Sequence, residues 1–173
     1  MTPRHFLSLA LTPALSLLPS KIDTAAGRAM VIAICLQESK LQHRRQIGGP
    51  ARGYAQFELN GGVLGVLTHH ASADHARAIC DILDIKPAPS VVYGALEFQD
   101  VLAAAFARLL LWTDPAPLPS REDDHAAWDI YFRTWRPGRP HPETWAAHYR
   151  RAWETLTSSS DDRDIFGTPM TED

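Results

Sequence analysis

The sequence predicts a mainly α-helical fold in a single domain. Three observations carry that prediction. Apolar residues recur at helical spacing in one segment after another, no stretch alternates as a strand hairpin does, and Pro, Gly or Ser/Thr/Asp positions punctuate the segments. The chain has 173 residues, which suits one domain, and 45% hydrophobic residues with five Trp are enough for a substantial core. Periodicity gives about seven helices. They fall within residues 1–156, and residues 157–173 form a polar, acidic, aperiodic tail expected to be flexible.

In chain order, Thr2-Pro3 is the N-cap and first turn of an opening helix. Phe6, Leu7, Leu9, Ala10, Ala14 and Leu17 form its apolar face, with a bend expected at Pro13. This segment resembles a short signal peptide. Pro13 and the poor cleavage site at Pro19-Ser20-Lys21 favour an amphipathic helix instead. Asp23 is placed to cap a second helix that runs to about Ser39. Gly27, near its start, allows close approach of a neighbour.

After a polar loop, Val63 to Leu67 suggest a short helix, and Ser72 opens another through Leu83. Ser90 is the expected cap of the next. Asp100 to Trp112 is almost wholly apolar and is the expected partner of the second helix. Beyond the stiff Asp114–Pro119 turn, Ser120 and Asp123 imitate a capping box. The helix behind it places Trp128, Tyr131 and Phe132 inward. A last helix starts near Pro142 and carries Trp145, Tyr149 and Trp153.

Composition excludes some functions. The formal net charge is −3, so there is no global basic footprint for nucleic acid. No apolar stretch reaches transmembrane length. Cys35 and Cys80 sit among apolar residues and read as packed free thiols. His69, His70 and His75 match no zinc spacing, and surface or capping roles suit them better than a metal site. No metal or cofactor is expected.

The stretch that carries chemistry is Ala29 to Gln56. An unbroken apolar run, Ala29 to Leu36, leads directly to Gln37-Glu38-Ser39. The macrodipole disfavours a Glu at a helix C-terminus. A carboxylate partly desolvated there has a raised pKa, which suits a general acid. The alternative is a solvated helix end.

Glu38-Ser39 followed by Gly53-Tyr54-Ala55-Gln56-Phe57 resembles the lysozyme-like lytic transglycosylases, whose pattern is Glu-Ser at the end of a buried helix and then Gly-Leu-Met-Gln. Tyr54 stands at the Leu position. Gly49 to Val63 is similar to a stretch found in the small phage-encoded branch. The likeness covers about Ala25 to Leu67; the later Tyr-Asn-Ala-Gly element is matched only at Tyr131, with the Asn-Ala-Gly portion absent.

The resemblance implies a lysozyme-like domain with a substrate cleft between the N-terminal half and the C-terminal helices. It also implies cleavage of peptidoglycan between N-acetylmuramic acid and N-acetylglucosamine, with a 1,6-anhydro product. Glu38 would be acid and then base. Ser39 would orient Glu38 or bind sugar, Gln56 would hold an N-acetyl group or the Glu, and Tyr131 would support the carboxylate. Gly53 and Tyr54 belong to the same motif. Glu58, two residues past Gln56, is either a second acid that positions water, making a hydrolytic muramidase, or a helix N-terminal residue favoured by the dipole.

A phage origin implies a virion-associated or lysis enzyme made in the cytoplasm and acting on the periplasmic wall, with other virion proteins as candidate partners. A non-catalytic neck or tail protein that keeps the fold is the competing class. Arg133, Arg136, Arg139, Arg150 and Arg151, interleaved with Trp135, Trp145 and Tyr149, suit sugar rings and acidic groups, or are simply a solvated helix face. A nucleic-acid role for this segment is the weakest reading.

Overall fold

A computed structural model describes the backbone of residues 1–164 and the side chains of residues 1–158. The chain is mainly α-helical, and no strand occurs among the described residues beyond isolated antiparallel bridges at Arg45–Arg52 and Arg52–Phe57. The helices are α1 (Pro3–Phe6), α2 (Thr12–Ser16), α3 (Ala25–Ser39), α4 (Leu64–Thr68), α5 (Ala73–Ile82), α6 (Pro89–Ala95), α7 (Asp100–Trp112), α8 (Asp124–Trp135) and α9 (Pro142–Asp164). Two π-helical turns, Leu7–Leu11 and Leu59–Val63, lead into α2 and α4.

The central element is α3. From Ala29 to Leu36 every residue is buried, so it presents no solvent face. It packs against α9, α7 and the N-terminal helical segment. Its principal neighbour is α9 rather than α7, which corrects the expected pairing. Gln37 at the end of α3 explains part of this. Its amide donates to His141 O (2.9 Å) and its carbonyl oxygen accepts from Thr144 Oγ1 (3.0 Å) and His148 Nδ1 (2.9 Å).

Several local expectations are corrected. Thr24, not Asp23, caps α3 by accepting from Gly27 N (3.0 Å); Asp23 is drawn away by Arg28, which clasps both of its carboxylate oxygens at 2.6 and 2.7 Å. Ser72 makes no capping bond and instead donates to Val66 O from a buried position. Ala88, not Ser90, precedes α6, because Pro89 already supplies a first-turn residue. Asp123 alone caps α8, by accepting from Ala126 N. Phe132 and Leu9 are 47% and 64% exposed, not core.

At Pro13 the first helical segment widens instead of breaking. The Thr12 N–H bonds to Leu7 O, five residues back, so a π-helical turn absorbs the missing proline donor. The C-terminal helix continues to Asp164, past the point where periodicity ends at Thr157. The rest of the predicted tail, 165–173, lies outside the described residues. Cys35 and Cys80 are buried free thiols. No helix among the described residues is long and apolar enough to cross a membrane.

Candidate functional site

Glu38 stands in the last turn of α3, and the end of that helix is built with care. Lys40 (φ 53°) and Leu41 (φ 56°) both adopt left-handed backbone conformations, and their N–H groups return to Leu36 O and Cys35 O. This satisfies carbonyls that a helix end leaves open. Neither residue is Gly, so the turn stores strain that the packing must hold, and Leu41 does so with a fully buried side chain.

Ser39 completes the turn. Its hydroxyl donates toward Cys35 O (3.0 Å) and Tyr54 O (2.8 Å) and accepts from Leu41 N (3.2 Å). The hydroxyl is buried and spent on backbone. It bonds neither Glu38 nor the groove, so the expected role of orienting the acid is replaced by one of fastening α3 to the returning loop.

The loop comes back through two antiparallel contacts. Gly53 N donates to Arg44 O (2.7 Å), and Arg52 and Phe57 exchange both backbone hydrogen bonds (2.9 and 2.8 Å). Gly53 is demanded twice over. Its φ is +71°, and a Cβ would lie 2.9 Å from Leu96 O and 3.3 Å from Ala103 Cβ. Two arginines hold the loop from outside. Arg44 binds Asp100 in bidentate fashion (2.8 and 2.7 Å), and Arg52 pairs with Glu97 (2.9 Å).

Tyr54 is a core residue, not a groove residue. Its ring meets Phe6 edge-on, and the Arg44 guanidinium lies 4.8 Å from the ring centroid. Gln56 has φ +52°, and its amide nitrogen donates to Gly53 O (2.7 Å) and His43 O (3.4 Å). It faces the groove but makes no hydrogen bond to Glu38.

The far wall comes from α8. Tyr131 Oη donates to Glu38 Oε1 at 2.7 Å. The tyrosine is buried and stacks on Trp145, with centroids 4.9 Å apart and planes 14° from parallel. Trp145 stacks in turn on Tyr149. One helical turn on, Trp135 donates its indole N–H to Ala55 O (2.8 Å) and leans on Phe57. These two bonds tie α8 to both arms that carry the motif.

Burial raises the Glu38 pKa from 4.5 to about 7; the Tyr131 hydrogen bond lowers it, and the nearby Glu58 charge raises it. Loss of solvation outweighs the hydrogen bond because the carboxylate is backed by α3 and the aromatic wall. Burial and the Glu38 charge push the Tyr131 phenol well above its usual range, so Tyr131 stays a donor.

Glu38, Gln56 and Glu58 line a groove of about 1010 Å³. Its other walls are the Asn60–Gly62 turn, Leu110, Asp114 and the segment from Arg133 to Arg139. Glu58 is exposed there, at the start of the Leu59–Val63 turn. Of the predicted residues, Glu38, Gln56 and Glu58 therefore share the groove, and Tyr131 touches it through Glu38. Ser39, Gly53 and Tyr54 lie behind it as scaffold.

Asp114 was missed, because in sequence it reads only as part of a proline-rich turn. It takes Arg133 in a bidentate pair (2.5 and 3.0 Å), which holds its carboxyl below the usual range. This pair fixes part of the groove lining. Among the described residues no group of three His, Cys, Asp or Glu is placed to hold a metal ion. His69 Nδ1 instead accepts from Ala71 N (3.2 Å), closing a turn.

Comparison with known proteins adds no identity: no family model, curated protein or solved structure matches this chain.

Proposed function

We propose that this protein cleaves the glycan strand of peptidoglycan between N-acetylmuramic acid and N-acetylglucosamine, without water, using Glu38 as acid and base on a lysozyme-like domain. The observation that carries the reading is Glu38 itself. It is half-buried at the wall of a long groove, hydrogen-bonded to Tyr131, and its pKa is raised to about 7. A carboxylic acid that keeps its proton near neutrality is what protonation of a glycosidic oxygen requires. Lysozyme tunes its own acid upward in the same way, by setting a carboxyl in a hydrophobic pocket.

In this mechanism Glu38 gives its proton to the bridging oxygen as the C1–O bond breaks. The Tyr131 hydroxyl then steadies the carboxylate. The muramic C6 hydroxyl adds to C1, and Glu38 takes its proton, which closes the 1,6-anhydro ring and restores the acid. One carboxylate suffices because the nucleophile is carried by the substrate. Arg136 and Arg139 at the groove rim suit the acidic substituents of the strand.

A second reading rests on Glu58. It lines the same groove and its charge acts on Glu38. As a base activating water it would make the protein a hydrolytic muramidase. Mass spectrometry of digested peptidoglycan separates these readings. Products ending in 1,6-anhydromuramic acid, absent with Glu38→Gln, support the first. Reducing ends support the second, and Glu58→Gln then abolishes them. Intact walls with both the wild type and the variants overturn both and favour a scaffold role, with phage virion proteins as partners.

A further inference from the structure

A second cavity lies behind the Asp114–Pro115 wall of the groove, about 620 Å³ in volume, between the start of α3 and the end of α7. Its notable member is Arg108. The side chain is 1% exposed, in the middle of an otherwise apolar helix. Its Nε donates to Ile22 O (2.9 Å), while Nη1 is fully buried with no hydrogen-bond partner among the described residues. Burial lowers its pKa to about 10 against a small opposing pull from Asp23.

The chain has made room for this cation. A Cβ on Gly27 would sit 2.6 Å from Arg108 Nε, so any larger residue there would have to displace the guanidinium. No carboxylate among the described residues pairs with it. Both Asp23 oxygens are taken by Arg28, and both Asp114 oxygens by Arg133, one of them also by Ala116 N. A second cation stands close by. Arg108 and Lys21 both lie over the Trp112 ring, at 5.4 and 5.8 Å from its centroid. A buried charge with no counter-ion is destabilising.

We propose that this cavity binds a small carboxylate with an aromatic or apolar body, held by the terminal nitrogens of Arg108. The sign of the charge follows from Arg108 and Lys21. The apolar body follows from Ala26, Leu111, Trp112 and Leu118 on the walls. A sugar or nucleotide is poorly matched, because the Thr24 hydroxyl on the wall already caps α3. Trp112 and Leu118, on the cavity wall beside Arg108, are both half-buried. The site is independent of the glycan-cleavage reading.

The test is benzoate titrated into the full-length protein, followed by the indole N–H resonance of Trp112, assigned with Trp112→Phe. Saturation with a dissociation constant on the order of 1 mM is expected. Benzamide, the neutral isostere, should bind at least about tenfold more weakly, the loss of a charged hydrogen-bonded contact. Arg108→Met should lose benzoate while remaining folded, since an apolar replacement removes an unpaired charge. Ala26→Leu, which narrows the cavity and leaves Arg108 intact, should lose it too. No saturation up to roughly 50 mM, far above the expected range, overturns the proposal. So does equal binding of benzamide, or binding that survives both variants. Inorganic phosphate competing as well as benzoate would reassign the site to a bare anion and overturn the aromatic body.

Discussion

Replacing Glu38 by Gln should make the protein more stable, and only at high pH. The folded-state pKa is raised from 4.5 to about 7, so the folded protein holds a proton that the unfolded chain has released. Stability from this group is fully present below about pH 4.5, falls as pH rises through about 7, and is absent above. At about 1.4 kcal/mol per pH unit, a rise from 4.5 to about 7 amounts to about 3 kcal/mol. Partial solvation of a half-buried carboxylate makes that an upper value, since screening weakens such terms. Glutamine keeps the shape and an acceptor for Tyr131 but cannot ionise. Urea unfolding of both proteins from pH 4 to pH 9 should give curves that meet at acid pH and diverge by about 2–3 kcal/mol above pH 8. Curves that stay parallel within about 0.5 kcal/mol across the range refute the reasoning, whatever the protein's activity.

Tyr131→Phe removes the bond that lowers the Glu38 pKa, so the acid should titrate still higher. The alkaline limb of the pH–rate profile should move up while the maximal rate falls about tenfold, and an unmoved limb counts against Tyr131 as the carboxylate's partner. Gly53→Ala forces a Cβ against Leu96 O at φ +71° and should cost about 2 kcal/mol or more in thermal unfolding. Ser39→Ala strips the α3 end of its hydroxyl contacts to Cys35, Leu41 and Tyr54 and should cost about 2 kcal/mol by urea midpoint, with the benzoate site untouched. Trp135→Phe loses the indole bond to Ala55 O and should cost about 1 kcal/mol while loosening the groove wall, read as faster amide exchange at Phe57.

The helical fold was legible because it follows from periodic patterns. An apolar run with no polar face must be buried, but the pattern leaves the carboxylate at its end either desolvated or solvated, and the wall from α8 decides it. Gly53 was legible as motif, and its physical reason, close approach to Leu96 O, lies in a contact across the fold. What escaped was competition for partners. Asp23 caps well in isolation but is taken by Arg28 in a stronger charged pair, leaving Thr24 to cap. Ser39 sits next to the acid in sequence, yet the left-handed turn after it directs its hydroxyl to backbone. Arg108 was hidden by its surroundings, since one cation in an apolar helix reads as the exposed exception. The neighbour of α3 was misjudged because apolar content made α7 prominent, whereas the polar bonds of Gln37 anchor α9.

The reach of the Tyr131–Glu38 bond has a consequence for the order in which the molecule is made. The two residues are 93 positions apart, and the companion Trp135–Ala55 bond spans 80. A ribosome releases α3 long before α8 and α9, and contacts of such separation close late in folding. Until they close, Glu38 lacks the Tyr131 hydroxyl and the aromatic wall behind it. The surroundings that raise the Glu38 pKa are therefore complete only once the last helices have packed.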